Sequence, residues 1–294
     1  ATTGSFYSSS SSSSGDYYTF ASLTERGKSH HVNQDRGFVV TDFYNPNSNN
    51  FLMGVFDGHG EFGHNVSQRC VETFPKLLYD KLLREVFVEP QQHLQQQQQD
   101  EEEDEPIAKT TATTTEAATT TIRRILNETF WELDRQGTSP EYYMGGTTAT
   151  VALRLGKDKL YVANTGDSQT IVVRCTARLD GRAGNSSVKA EVVYKSIKDK
   201  PNLAEEHDRI LGKGGVIGPN GGRVIVHTKA VSKDIIGLAM SRSIGDWEWG
   251  DVGVIPEPRV DVIDLEPYRT SSRSKSKSKS KKDDGTTTTT TTTG

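Results

Sequence analysis

The chain has 294 residues, of which 33% are hydrophobic and 25% are charged, and its formal net charge is −4 at pH 7. This length allows one or two domains, and no stretch approaches the ~18 consecutive apolar residues of a membrane-spanning helix. Two cysteines are too few for a disulfide scaffold or a cysteine-ligated metal site. A negative net charge disfavours nucleic acid as a partner.

Four tracts of biased composition interrupt the chain: 1–15 (Ser-rich), 90–121 (Gln-, acid- and Thr-rich), 176–190 (polar) and 267–294 (Ser/Lys-rich, then Thr-rich). Such segments bury too little apolar surface to offset the entropy of ordering them. We therefore predict a disordered lead, two insertions and a low-complexity tail around one domain at 16–266. The acidic run 100–105 has a partner-binding segment as its alternative reading.

In chain order, the first predicted elements are short strands and a long helix. Apolar runs predict strands at Phe20–Thr24, Gly37–Thr41 and Phe51–Phe56, the last apolar enough for burial on both faces. Apolar residues three and four apart predict an amphipathic helix over Gly63–Phe87. The helical pattern resumes at Ile122, after the first insertion.

The second half of the domain is mostly strands separated by Gly and Asp turns. The predicted elements are strands at Thr147–Leu155, Leu160–Asn164, Gln169–Cys175 and Val192–Tyr194, a helix at Leu203–Leu211, and short strands at Val224–Val226, Gly237–Met240 and Val260–Ile263. Strands and helices do not alternate along the chain, so this order predicts an α+β fold with antiparallel sheets.

The clearest chemical motif is Asp57-Gly58-His59-Gly60, which directly follows the buried strand. Rigid scaffolds present catalytic groups on loops at strand ends. An aspartate there can bridge two metal ions, and the Gly58 carbonyl can add an oxygen ligand. The alternative for this motif alone is a surface turn with an exposed histidine.

Five more motifs share the chain with this one: Asn33-Gln34-Asp35, Gly145-Gly146-Thr147-Thr148-Ala149, Ala163-Asn164-Thr165-Gly166-Asp167-Ser168, Leu203-Ala204-Glu205-Glu206 with Arg209-Ile210 and Gly214-Gly215, and Leu238-Ala239-Met240-Ser241-Arg242-Ser243-Ile244-Gly245-Asp246. By itself, the turn at Asp167 is more typical of a plain hairpin. Together and in this order, the six motifs resemble the metal-dependent protein phosphatases, the PPM or type 2C protein serine/threonine phosphatases, and most of all their plant and algal members.

The resemblance implies a four-layer α-β-β-α sandwich, in which two antiparallel sheets are flanked by helical pairs. It also implies an active-site cleft at one edge of the sandwich with two Mg²⁺ or Mn²⁺ ions and a third, weaker one. Carboxylate, carbonyl and water ligands without a Cys or His cluster agree with such hard ions rather than Zn²⁺.

The resemblance further implies a role for each candidate residue. Asp57 would bridge both ions, Gly58 would give its carbonyl to one, and Asp35 would hold one directly or through water. Asp167 matches the position that helps to hold the third ion. A metal-bound water would attack phosphorus in line, and His59 matches the general acid that protonates the leaving alkoxide.

Two features depart from the family pattern. Many members carry an arginine before the first acid that grips the phosphate, and here Lys28 or His30 would take that place; the alternative is that both are exposed loop residues. The family also has two later acids, in Asp-Gly and Asp-Asn pairs. After Glu266, the only acidic residues are Asp283 and Asp284, which precede Gly285 in a low-complexity linker. We therefore expect the sequence to stop before the last metal ligands.

We therefore expect a Mg²⁺- or Mn²⁺-dependent protein serine/threonine phosphatase that acts as a monomer on phosphoprotein substrates. The alternative is a non-catalytic relative that binds phosphoproteins or kinases. The cysteine content suggests a reducing compartment, so we expect the cytoplasm or nucleus. Because the chain begins at Ala1, an organelle-targeting segment before it stays open.

The first prediction concerns the 294-residue chain expressed alone. Without two metal carboxylates and the strands that close its sheets, it should fold poorly and be inactive. The measurement is Mn²⁺-dependent hydrolysis of p-nitrophenyl phosphate, and measurable turnover by the isolated chain would contradict this expectation.

Overall fold

A computed structural model describes residues 8–11, 17–20, 23–24, 32–44, 49–88, 107–179, 186–227 and 235–268 of the chain. Its strands are β1 (Ser8–Ser11), β2 (Tyr17–Phe20), β3 (Asp35–Thr41), β4 (Phe51–Gly60), β5 (Gly145–Thr147), β6 (Ala149–Leu155), β7 (Lys159–Thr165), β8 (Ile171–Leu179), β9 (Ser186–Lys195), β10 (Val216–Ile217), β11 (Val224–His227), β12 (Ile235–Leu238), β13 (Ile244–Gly245) and β14 (Arg259–Asp264).

The helices are α1 (Gly63–Leu82), which continues into a π-helical segment at Leu83–Val88, α2 (Ile107–Arg135), α3 (Glu141–Met144), α4 (Ala204–Gly212) and α5 (Trp247–Gly250). Short 3₁₀ turns lie at Pro219–Gly221 and Glu266–Tyr268. The strand pairings in the four described sheets are antiparallel. The predicted α+β class with antiparallel sheets is therefore confirmed.

The central sheet has the strand order β13-β5-β4-β6-β7-β14, with β3 on the other edge of β4. Successive side chains of a strand point to opposite faces, and β4 follows this rule: Leu52 and Phe56 lie in the main core, whereas Phe51 and Met53 pack on the opposite face. Val55 is 54% exposed, so the expected burial of both faces fails at that position.

Helices α1 and α2 cover one face of this sheet and form the main core with it. The buried side chains of α1 recur at helical spacing: Val66, Cys70, Phe74, Leu78 and Leu82. The Phe74 ring makes an edge-to-face contact with Phe130 of α2, with ring centroids 5.4 Å apart. The apolar stripe predicted from the sequence is thus the face by which α1 packs.

On the opposite face, Val172 and Tyr194 of the β8–β9 hairpin pack against Leu160 and Val162 of β7. The helical pair and the central sheet are two successive layers. The second sheet and the second helical pair of the expected four-layer sandwich stay a prediction. Beside these layers, α4 and the β10–β11–β12 sheet enclose a smaller core around Ile210 and Trp249.

Three predictions about low-complexity tracts are wrong for the residues that the structure describes. Residues 107–121 of the predicted insertion at 90–121 form the first half of α2, since extending an existing helix is much cheaper than starting one. Most of the predicted loop 176–190 belongs to β8 and β9, where Val188, Ala190 and Val192 alternate with polar residues.

In the Ser-rich lead, the third such tract, Ser8–Ser11 pairs with β2, because a strand ladder is held by backbone groups that every serine carries. Of the predicted strand at Phe20–Thr24, Phe20 belongs to β2, Leu23 and Thr24 are not in a strand, and residues 21–22 lie outside the described residues. Residues 1–7, 12–15, 90–106, 180–185 and 269–294 of the predicted low-complexity regions lie outside the described residues. Among the described helices, none has the length and apolar character needed to cross a membrane.

Burial on the helix-facing side of β4 generates the second prediction. Leu52→Ala should lower the free energy of unfolding by about 2–5 kcal/mol, since it leaves a cavity in a fully buried position. Val55→Ala, an exposed position on the same strand, should change it by less than about 1 kcal/mol. Urea unfolding of both variants measures the difference, and equal losses would contradict the assigned faces.

Candidate active site

Two of the predicted metal ligands, Asp35 and Asp57, lie directly opposite each other on β3 and β4. Burial raises the pKa of Asp57, and the charge and hydrogen bond of the neighbouring Asp35 raise it further. Two carboxylates held this close repel each other in their ionised forms. The pair therefore forms a compact anionic centre at the end of the buried strand.

Asp167, the third predicted carboxylate ligand, lies in the turn next to this centre: the hydroxyl of the following residue, Ser168, is hydrogen-bonded to Thr148 Oγ1, which accepts a hydrogen bond from the Asp57 N–H. The carboxylate of Asp167 is paired with Lys200, whose Nζ is 2.5 Å from Oδ2. The described part of the chain contains no group of three or more His, Cys, Asp or Glu side chains arranged to hold a metal ion.

The donor chemistry still fits a hard divalent cation at Asp35 and Asp57. These are oxygen ligands whose mutual repulsion a cation would relieve. To act as a metal ligand, the Asp167 carboxylate would have to give up its ion pair with Lys200. Asp167 and the Gly58 carbonyl therefore stay predicted ligands.

Six glycines, here called the glycine junction, bring the strands of the site together: Gly58, Gly60, Gly63, Gly145, Gly146 and Gly245. A Cβ atom at any of them would lie less than 3.0 Å from a neighbouring atom. At Gly146 it would overlap the carboxylate of Asp246. Gly146 is the cross-strand partner of both His59 and Gly245, so its missing side chain leaves the space in which Asp246 approaches His59.

His59 is hydrogen-bonded through Nε2 to Oδ2 of Asp246, at 2.6 Å. Burial lowers the pKa of His59, but the charge and hydrogen bond of Asp246 outweigh this effect, and the net pKa is raised. The Asp246 carboxylate is 2% exposed and also accepts a 2.5 Å hydrogen bond from Ser243 Oγ. The structure thus supplies a histidine whose protonated form is stabilised, beside the carboxylate pair.

The sequence did not assign a role to Asp246. It stands at the end of a recognised motif, but a histidine and an aspartate 187 positions apart become neighbours only through the pairing of β4, β5 and β13. The remaining sequence cue is the pair Gly145-Gly146 opposite the histidine, which indicates close backbone approach.

A buried charge cluster anchors the segment that leads to Asp246. Glu206 of α4 accepts hydrogen bonds from Arg242 (2.7 Å), Arg209 (2.6 Å) and Ser241 (2.7 Å). Burial alone would raise the pKa of Glu206, but these hydrogen bonds outweigh it and lower the pKa to about 2. Arg259 of β14 bonds the same carboxylate, so residues 241–242 are tied to α4 and β14.

The predicted phosphate-binding residues, Lys28 and His30, lie outside the described residues. Their role stays a prediction. The structure therefore brings Asp35, Asp57 and His59 together and places Asp167 next to them in an ion pair with Lys200. It also shows Asp246 as the hydrogen-bond partner of His59.

Comparison with known proteins agrees with this fold. The family model described as "Protein phosphatase 2C" matches residues 21–270. The chain is 29% identical over 244 residues to probable protein phosphatase 2C 73 of Arabidopsis thaliana, with 82% of this chain and 59% of that protein covered. It is 30% identical over 260 residues to probable protein phosphatase 2C 41 of the same plant, with 82% and 61% covered.

Among solved structures, the serine-threonine phosphatase 2C from Toxoplasma gondii aligns with a TM-score of 0.55 at 18% identity, covering 81% of this chain and 71% of that one. This likeness concerns the fold alone. The family match covers most of the sequence, so the chain belongs to the protein phosphatase 2C family, and the resemblance stated from its motifs is confirmed. The chain spans about three fifths of the length of the two plant relatives.

The glycine junction generates the third prediction. Gly146→Ala should lower the free energy of unfolding by about 1–3 kcal/mol, because the new methyl group displaces the Asp246 carboxylate from His59. Gly250→Ala is the matched control, since a Cβ there meets no atom within 4 Å; it should leave the stability unchanged or raise it by up to about 1 kcal/mol. Denaturant unfolding compares them, and a neutral Gly146→Ala would contradict the close contact.

Proposed function

We propose that the protein is a Mg²⁺- or Mn²⁺-dependent protein serine/threonine phosphatase. The observation that carries this proposal is the placement of two reaction components at one end of β4: the facing carboxylates of Asp35 and Asp57, and the His59–Asp246 pair. The carboxylates suit a cation-assisted attack, and the histidine suits protonation of a poor leaving group. Hydrolysis of a phosphate monoester of serine or threonine needs both.

Asp35 and Asp57 would hold the ions, with Gly58 and Asp167 as further ligands. When bound, the ions supply Lewis-acid polarisation of the phosphoryl oxygens and a water of lowered pKa. Asp57 orients this centre from a rigid strand rather than from a loop, which fixes where the attacking oxygen can lie. Two ions, with a third bound more weakly, are the stoichiometry that we expect.

His59 would donate its proton to the alkoxide oxygen of the departing serine or threonine. Its ring is held through Nε2 by Asp246. The P–O bond breaks as this proton arrives, and the products are the free hydroxyl group and inorganic phosphate. Asp246 keeps the ring oriented and stabilises its protonated form throughout.

One observation favours the alternative function, a non-catalytic relative that binds phosphoproteins or kinases: the carboxylate of Asp167 is paired with Lys200. Such a protein would still fold around the same junction but would bind Mn²⁺ weakly. Calorimetric titration with Mn²⁺ separates the two functions, because the enzyme requires saturable binding at the Asp35–Asp57 centre.

The proposal extends to the setting of the reaction. The substrates would be phosphoproteins, the protein would act as a monomer, and its compartment would be the cytoplasm or nucleus. Lys28 or His30 would contact the phosphate of the substrate, although a lysine would do so as a point charge rather than as a bidentate arginine.

The fourth prediction tests Asp57 in the full-length protein. Asp57→Asn should lower kcat for a phosphoserine peptide by about 10³-fold or more, because several kcal/mol of metal-derived stabilisation is lost. Asp42→Asn makes the same chemical change just beyond the far end of β3 and should keep the wild-type rate. Steady-state kinetics with Mn²⁺ measures both. An active Asp57→Asn variant that still requires Mn²⁺ would refute this assignment of the metal centre.

A further inference from the structure

Asp134, at the C-terminal end of α2, holds the turn that carries Asp246. Its Oδ1 accepts a hydrogen bond from the Gly245 backbone N–H at 2.8 Å and another from the Trp247 indole Nε1–H at 3.1 Å. These two donors belong to the residues immediately before and after Asp246. One carboxylate oxygen of Asp134 therefore holds both neighbours of Asp246, the residue that is hydrogen-bonded to His59.

The turn at Asp246 has a backbone conformation that needs such support. Gly245 and Asp246 both have positive φ, at 81° and 54°, and the left-handed region is unfavourable for a side chain such as that of Asp246. The Asp246 N–H is fixed by the Gly145 carbonyl at 2.9 Å. With the two bonds to Asp134, three successive residues of the turn are held by partners on β5 and α2.

The aromatic contact beside the turn holds the same residue. The Trp247 ring packs against Tyr142 with a centroid separation of 5.5 Å, and its N–H points to Asp134. The indole thus links α3 and α2 to the start of α5. A shift of α2 would move Trp247 and Gly245 together and would carry the Asp246 carboxylate away from Nε2 of His59.

We propose that Asp134 is a positioning residue for the His59–Asp246 pair: it orients the proton donor by fixing the turn at 245–247, without touching the reacting atoms. The consequence for catalysis rests on the proposed phosphatase function. The effect on the orientation of Asp246 does not. A spectroscopic measurement and a kinetic one therefore test the two parts separately.

The geometry offers a variant that separates positioning from charge. Both hydrogen bonds end on the same oxygen, Oδ1, so the single carbonyl oxygen of asparagine can accept both. Asp134→Asn should preserve the turn, whereas Asp134→Ala removes the acceptor. Trp247→Phe removes one of the two bonds and keeps the aromatic ring, which covers the case in which Asp134→Ala fails to fold.

The spectroscopic test uses proton NMR of the full-length protein. The His59 Nε2–H, bonded to a buried carboxylate, should give a strongly downfield resonance, assigned by its loss in His59→Gln. This resonance should persist in Asp134→Asn. In Asp134→Ala it should disappear or move upfield by about 1 ppm or more, because the charge-assisted hydrogen bond to Asp246 lengthens. In Trp247→Phe it should shift less than in Asp134→Ala.

Leu126→Ala is the control for simple destabilisation of α2, because Leu126 is fully buried two turns before Asp134. It should keep the downfield resonance at temperatures where it is folded. An unchanged resonance in Asp134→Ala, its loss in Leu126→Ala to the same degree, or its absence from the wild-type protein would each overturn the positioning role.

The kinetic test compares two leaving groups. A serine alkoxide needs a proton from His59, whereas p-nitrophenolate departs without one. Asp134→Ala should therefore lower kcat for a phosphoserine peptide by about tenfold or more and lower kcat for p-nitrophenyl phosphate by less than about threefold, with Asp134→Asn near wild type on both. Equal losses on both substrates would overturn the proposal. A wild-type protein that hydrolyses neither would refute the phosphatase function, while the NMR result would still decide the positioning role.

Discussion

Close backbone contact within the glycine junction is the constraint on which the candidate site depends. Strand β4 has to meet β5 and the start of α1 within a space that leaves no room for Cβ atoms. Gly146 is the most demanding member, because a carboxylate occupies the position that its side chain would take. Any residue other than glycine would keep Asp246 away from His59. Sheet geometry, rather than a flexible loop, thus sets the distance between the two.

This constraint places two kinds of charge side by side. Asp35 and Asp57 form an anionic pair that raises the pKa of Asp57, whereas the carboxylate of Asp246 accepts hydrogen bonds from His59 and Ser243. Farther from the site, Glu206 is matched by three arginines. Buried charges are retained where they are paired. The Asp35–Asp57 carboxylates are the place at which we propose a cation, which would relieve their mutual repulsion.

The sequence was a good guide to what is local and a poor guide to what depends on register. The motif Asp57-Gly58-His59 follows a buried strand, and the apolar stripe of α1 has helical spacing, so both could be recognised by pattern. The pairing of Asp35 with Asp57 needs the β3–β4 register, and Asp246 needs three strands in place. The start of α2 was missed because threonine-rich composition resembles a linker, although each threonine costs a helix only a few tenths of a kcal/mol.

The Asp35–Asp57 carboxylates and the His59–Asp246 pair also influence each other electrostatically. The ionised Asp57 carboxylate contributes to the raised pKa of His59, after the larger effects of burial and of Asp246. A cation held by Asp35 and Asp57 would cancel most of the contribution from Asp57. Asp246 would then be the main group that stabilises the protonated imidazole against burial, which favours the neutral form. The proposed metal centre and the proposed proton donor can share one strand end because His59 has its own buried anion, Asp246. This is the physical reason for the glycine at position 146 and for the supports that hold the turn at Asp246.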